Sequence, residues 1–178
     1  MPPPERIELP GRVLLRARPA HAEQTAQAVA ASMDELMEWM PWAGPEAAKP
    51  ENQRVRFTEA DATWDSGEVL EFVLFDAEER ALLGVLGLHR RIGPGAIELG
   101  YWSHSAYAGK GNITAAAGAL TETALAMPDI QRVEIHCDAA NHASAAIPRK
   151  LGYRQVRTED RAPQARAETG KHQIWVRP

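Results

Sequence analysis

Three strand-like runs in immediate succession constrain this chain more than any other feature. Val69–Phe75, Ala81–Arg91 and Ala96–Trp102 are rich in Val, Ile, Leu and aromatic residues, the content of buried or half-buried strands. The joints between them, Asp76–Glu79 and Gly93-Pro94-Gly95, are of hairpin length. Three antiparallel strands therefore stand in a row near the middle of the sequence. Any fold for this chain must carry that meander and arrange helices around it.

The flanks supply the helices. Arg12–Arg18 reads as an earlier strand, and Pro19 opens a periodic helical run over Ala20–Ala31. Ser32 and Glu35 have the spacing of a capping box for a short second helix that ends before Pro41. Residues 50–65 form another helical run, closed by Ser66-Gly67. After the meander a long helix is predicted from Lys110 to Met127. Its apolar stripe is Ile113, Ala117, Leu120, Ala124 and Met127, and Pro128 stops it. Arg132–Asp138 alternates strictly: Val133, Ile135 and Cys137 face one way, Arg132, Glu134 and His136 the other. Asn141 can cap a helix that ends at Gly152. Tyr153–Thr158 and His172–Val176 close the chain as strands around a polar loop. Strands joined through a helix pair in parallel. The expected fold is a mixed α/β sheet, mostly antiparallel, with helices on both faces. Residues 1–11, rich in proline, read as a loose lead-in, and 12–178 as one domain.

Composition excludes several functions. Net charge is −4 with pI about 5.9, and Lys and Arg are scattered, so no basic footprint for nucleic acid exists. No apolar stretch is long enough to span a bilayer, and no signal-peptide pattern is present. Cys137 is the only cysteine, which rules out an internal disulfide framework and fits a reducing cytoplasm. Its neighbour His136 points to the other face of the strand and cannot activate it, so Cys137 reads as a structural thiol. The histidines and the cysteine show no metal-ligand spacing, so no metal is expected.

The most informative segment runs from Gly100 to Thr114. A strand ends, a short loop follows, and Gly109-Lys110-Gly111 opens the long helix. Glycines there permit positive φ and close approach of a ligand. Free N–H groups at a helix N-terminus suit a phosphate or pyrophosphate. The segment is neither a Rossmann fingerprint nor a Walker loop, and an ordinary glycine turn would look the same locally.

Further motifs surround it: Ile97-Glu-Leu-Gly-Tyr-Trp102, His104-x-x-Tyr107-x-Gly109-Lys-Gly111, Arg132-Val-Glu, Asn141-x-x-Ser144 and Lys150-Leu-Gly-Tyr153. In this order they resemble the GNAT superfamily of N-acetyltransferases, and within it the RimJ/RimL-type branch. The segments Trp39-Met-Pro-Trp42 and Leu83-Gly-Val-Leu-Gly also match that branch. The resemblance spans about residues 12–176. It implies an acetyl-CoA-dependent transferase. Its fourth strand, Ala96–Trp102, would be bulged and would splay from the fifth, Arg132–Asp138, with the pantetheine arm between them. On this reading Tyr101, Trp102, Ser103, Gly109, Lys110, Gly111, Asn112, Ile113, Thr114 and Asn141 contact the cosubstrate. Ala108 and Ile113 depart from the usual loop pattern.

The chemistry requires a base for the ammonium, stabilisation of the thioester oxyanion, and a proton for the leaving thiolate. The resemblance assigns Glu98 as base, directly or through water, and Ser144 as acid. The competing readings are a solvent-facing strand carboxylate and a helix-capping hydroxyl. Pro148, inside the helix from Asn141, cannot bond the Ser144 carbonyl; the expectation is a kink that opens the helix beside the thioester. Trp39 and Trp42 would line the acceptor mouth, while Trp64 reads as core. Asp160 or Glu168 of the last loop could draw in a cationic amine. The acceptor would be a protein N-terminal amine or a small amine, and the protein a monomer or homodimer. The alternative is a CoA-binding regulatory or assembly protein without turnover.

Overall fold

A computed structural model describes residues 2–178; Met1, the first residue of the expected lead-in, lies outside the described residues. The strands are β1 (Arg6–Leu9), β2 (Arg12–Arg16), β3 (Val69–Asp76), β4 (Leu82–His89), β5 (Ala96–Ser103), β6 (Arg132–Asp138), β7 (Arg154–Asp160) and β8 (Lys171–Arg177). The helices are α1 (Ala22–Ala31), α2 (Met33–Trp39), α3 (Pro50–Ala62), α4 (Asn112–Leu125) and α5 (His142–Lys150). All eight strands join one sheet in the order β1-β2-β3-β4-β5-β6-β8-β7. Among the described residues, only β5 and β6 pair in parallel. The predicted meander is present as β3, β4 and β5.

The lead-in is more ordered than expected. Arg6–Leu9 forms β1 and pairs with β2 from Arg6↔Leu15 to Leu9↔Arg12. Ile7 and Leu9 pack against the main core, which is the apolar gain that holds this edge. The capping box at Ser32 does not form. Ser32 sits at the start of α2 but makes no side-chain cap. It is fully buried, and its Oγ accepts the Ser105 N–H at 2.9 Å. A long-range loop tie takes the hydroxyl that local spacing assigned to the helix.

Each sheet face has its own core. On one face Leu70, Phe72, Leu86, Ile97, Leu99 and Val133 pack under α4, with Trp64 beside Phe72. Helix α4 buries the predicted stripe from Ile113 to Ala124, while Met127, expected as its last member, is buried just past the end of the helix. Thr121 adds a hydrogen bond to Tyr153 Oη at 2.6 Å. On the other face Val73, Phe75, Val85 and Trp102 pack under α1, α2 and α3 through Val29, Leu36 and Phe57.

β5 and β6 register over only three pairs: Ala96↔Arg132, Ile97↔Val133 and Glu98↔Glu134. Beyond Glu98 the two strands part, giving the expected splay. The bulge expected on Ala96–Trp102 is absent from its pairing with β4, which keeps one register from Gly84↔Ser103 to His89↔Glu98.

Candidate active site

The splay opens into a cleft of about 870 Å³. Consecutive residues of both strands line it, Glu98 to Trp102 on β5 and Ile135 to Asp138 on β6. A strand presents alternate side chains to opposite faces. Consecutive lining residues therefore mean that the cleft runs along two unpaired strand edges and reaches both faces of the sheet. Those edges leave N–H and C=O groups free to pair with an extended, amide-bearing arm.

On the α5 side of the gap, Asn141 Oδ1 accepts the Ser144 N–H at 3.1 Å, the predicted cap. Ser144 Oγ donates to Tyr101 Oη at 3.3 Å, and the Tyr101 hydroxyl donates to the Ser144 carbonyl at 3.0 Å. This revises the expectation for Pro148. The proline does leave the Ser144 carbonyl without its helical donor. However, α5 runs unbroken through Pro148, and Tyr101 satisfies the carbonyl from the next element. Tyr101 thereby joins β5 to α5. Burial raises its hydroxyl pKa well above the usual range. Cys137, next to Ser144, is buried, and burial pushes its thiol up to about 11. That fits the structural reading.

On the opposite face stand Glu71, Gly87, His89, Glu98, Gly100, Trp102 and His136, beneath Trp39, Trp42, Gln53 and Arg56. Gly87 and Gly100 are register partners, and their lack of side chains makes room for the His89 ring. The His89 ring folds over the first of them: a Cβ on Gly87 would meet His89 Nε2 at 2.6 Å. Burial and the Arg91 charge depress His89 to about 4. Trp42 packs against Trp102 in a tilted contact, 6.0 Å between centroids and 56° between planes, with the Arg56 guanidinium 5.8 Å above Trp42. Arg56 also pairs with Glu71; burial raises the Glu71 pKa despite that partner. The Trp102 side chain thus lies on the face away from Tyr101 and α5, beside Trp42.

Glu98 faces the cleft, with 12% of its side chain exposed. Burial alone would raise its carboxyl, but the Arg91 fork outweighs that and holds it low. Both oxygens are engaged, Oε2 with Arg91 Nε at 2.8 Å and Oε1 with Nη2 at 2.7 Å. A free base is therefore not what the structure presents at Glu98.

The glycine loop lies outside the cleft walls, at the start of α4. Gly109 and Gly111 have φ of +73° and +76°, and a Cβ on either would meet nothing within 4 Å. No backbone N–H from Gly109 to Thr114 has a hydrogen-bond partner among the described residues. Asn112 Nδ2 donates to the Tyr107 carbonyl at 3.2 Å, and Lys110 Nζ stands 5.6 Å from the Tyr107 ring. Ile113 points inward, 7% exposed, into space left by Gly84. Its departure from the usual loop pattern costs the amide row nothing. Ser103 Oγ donates to the neighbouring His104 carbonyl and lies outside the cleft.

The last loop corrects one expectation. Asp160 ends β7, is largely exposed and pairs with Lys171; it does not line the cleft. Arg161, Gln164 and Glu168 do. Glu168 accepts the Gln164 N–H at 2.5 Å, and Ala167 N–H reaches the Glu38 carbonyl at 2.9 Å. Asp138 anchors the loop base, accepting from Thr169 N–H at 2.9 Å and Gly170 N–H at 3.0 Å. Burial opposes its charge, and these bonds hold its pKa low nonetheless. Nothing in the sequence singled out Asp138.

Among the described residues, no helix is long and apolar enough to cross a membrane. Comparison with known proteins agrees with the arrangement. YdaF of Bacillus subtilis, which carries the name of a ribosomal N-acetyltransferase, is 28% identical over 138 residues, 76% of this chain and 73% of that protein. The ribosomal-protein-S5-alanine acetyltransferase of Vibrio fischeri superposes with a TM-score of 0.87 at 18% identity, covering 97% of this chain and 95% of that one. RimL, a ribosomal L7/L12 acetyltransferase solved with coenzyme A, gives 0.87 at 22%, with 97% of each chain covered. The microcin C7 self-immunity acetyltransferase MccE, solved with acetyl-CoA and AMP, gives 0.87 at 17%, covering 98% and 96%. The pattern of the acetyltransferase (GNAT) domain matches residues 12–154. The chain belongs to the GNAT family of acetyl-CoA-dependent N-acetyltransferases.

Proposed function

We propose that residues 12–178 act as one domain that acetylates the α-amine of a peptide N-terminus. The observation that carries this reading is the cleft itself. It leads from the unpaired β5 and β6 edges to a mouth bounded by α2, α3 and the last loop. An opening of about 870 Å³ has room for several residues of an extended peptide. Two structural relatives are named for ribosomal protein acceptors, which supports the same class.

Acetyl-CoA supplies the thioester. The free amides from Gly109 to Thr114 suit its pyrophosphate, with Lys110 adding a positive charge. The unpaired β5 edge by Tyr101 and Trp102, together with Asn141, would hold the arm. Ser144 Oγ is the proton source for the leaving sulfur. Glu98, fixed by Arg91, and Glu168 provide negative charge toward which an ammonium moves. Trp39 and Trp42 form the rim over the incoming chain.

A second reading has its own observation. The Trp42–Trp102 wall with Arg56 beside it also suits a flat heteroaromatic acceptor, and MccE was solved with AMP. An acceptor screen separates them: unblocked Ser- and Ala-terminal peptides against aminoacyl nucleotides and polyamines, read by CoA thiol release. Turnover with peptides supports the first reading. Turnover confined to nucleotide-linked amines supports the second. Acetyl-CoA binding with no turnover on any amine would favour a CoA-binding regulatory or assembly protein.

A further inference from the structure

The residues of β6 on the acceptor face form a chain of polar contacts. Arg132 Nε donates to Glu134 Oε1 at 2.8 Å, and Glu134 Oε2 lies 2.7 Å from His136 Nε2. The Glu134 side chain is 4% exposed and that of His136 18%. Glu134 is the last β6 residue registered with β5. His136, two residues on and facing the same way, therefore stands at the first position past the seam. It lines the cleft where the two strand edges separate.

The tautomer follows from the partner. Burial of Glu134 is outweighed by Arg132 and His136, so the carboxyl stays ionised and can only accept. A neutral His136 must then carry its hydrogen on Nε2. Its Nδ1 lone pair has no hydrogen-bond partner among the described residues. Base and orienting carboxylate are thus placed as in an activated nucleophile–base system.

We infer that His136 Nδ1 is the general base for the acceptor amine, with Glu134 as its positioning residue. This rests on the acetyl-transfer reading. The ammonium N–H proton passes to His136 Nδ1. The freed nitrogen lone pair forms the C–N bond at the acetyl carbonyl as the C–S bond breaks. The sulfur keeps the electron pair of the broken C–S bond and takes a proton from Ser144 Oγ or water. The second proton, shed by the acetylated nitrogen, replaces the one that Ser144 or the water gave up. The imidazolium is stabilised by Glu134 on its own strand. Glu98 on β5 and Glu159 on β7 also lie within charge range of it. Arg132 faces Glu134 from below, and Arg157 of β7 adds a further positive charge near that carboxylate. The two rival bases are encumbered. Glu98 is held by both arms of Arg91, and His89 is buried over Gly87 with its proton affinity depressed.

The test uses the full chain and an unblocked Ser-terminal peptide, with kcat/KM followed from about pH 5.5 to 9. His136→Gln should lower kcat by about 10²-fold or more and abolish the acid limb of the profile. Its KM for acetyl-CoA should stay within about twofold of wild type, since the cosubstrate loop is untouched. Glu134→Gln should lower kcat less, with recovery in Glu134→Asp. Glu98→Gln should raise the peptide KM and keep the acid limb. An acid limb lost in Glu98→Gln but kept in His136→Gln would overturn the assignment, as would a His136→Gln kcat within about threefold of wild type. A second measurement needs neither variant nor turnover. Ring-nitrogen NMR of the CoA-bound wild type should show His136 as the Nε2–H tautomer, and the Nδ1–H tautomer would also overturn it. A wild type that acetylates no peptide refutes the acceptor class, while the tautomer still decides for or against the base.

Discussion

Pro148 and Tyr101 are coupled through one carbonyl, and that coupling can be measured. The Ser144 carbonyl lacks its helical donor because Pro148 has no N–H, and the Tyr101 hydroxyl replaces it at 3.0 Å. Tyr101→Phe removes that donor and leaves a half-buried acceptor unpaired, at a cost of about 1–3 kcal/mol. Pro148→Ala restores a helical donor and relieves the proline penalty of about 3 kcal/mol, offset by about 1 kcal/mol for the lost ring packing. In that background Tyr101→Phe should cost only about 0.5–1 kcal/mol, because the carbonyl is now served from within α5. The weaker Ser144 Oγ bond to Tyr101 is lost in both backgrounds and cancels. The expected coupling is therefore about 1–1.5 kcal/mol. Urea unfolding of wild type, both single variants and the double variant reads it directly. Additivity within about 0.5 kcal/mol would show that the Tyr101 hydroxyl does not replace the missing amide.

Gly84→Ala should destabilise the fold by about 2–3 kcal/mol by urea unfolding. The new Cβ would stand 2.5 Å from the Trp102 carbonyl oxygen and 2.7 Å from Ile113 Cδ1. Cys137, pushed up to about 11 from 9.0, should react with a disulfide reagent near pH 8 about a hundredfold more slowly than in urea, and equal rates would contradict its burial. His89 makes stability fall with acid. Its folded pKa of about 4 lies below the usual 6.5, so between those values the unfolded chain binds the proton and the folded one does not. The loss reaches at most about 3 kcal/mol near pH 4 and is absent above about pH 7; His89→Gln should flatten that slope in a chemical-unfolding series.

The meander, the α4 stripe and the Asn141 cap were legible because each is a local pattern with one period or one spacing. What escaped was decided at long range. Ser32 and Glu35 have capping-box spacing, yet Ser105, far along the chain, takes the Ser32 hydroxyl. Residues 6–9 read as lead-in because their apolar content is slight, and β2 supplies the partner that makes them a strand. Of the two loop carboxylates, only Glu168 reaches the cleft, because Asp138 folds the loop base inward. The alternation on β6 placed Glu134 and His136 on one face correctly. It could not show that the carboxylate is buried and bound to the imidazole. The place of Glu98 on the cleft wall followed from its strand position, but its Arg91 clamp depends on a turn whose geometry the sequence does not encode.

The short parallel seam between β5 and β6 has a consequence for cooperativity. β1 to β5 form one plate and β6, β8 and β7 another, and three registered pairs join them in the sheet. Helix α4 touches both plates and serves as the hinge pin on one face. A ligand arm lying along the open edges adds the missing rungs, so its binding energy also welds the plates. At about a hundred times its dissociation constant, such a ligand would add about 2.7 kcal/mol to folding stability. On the proposed placement of the acetyl donor along these edges, the resistance of this fold to opening rises with the supply of that donor.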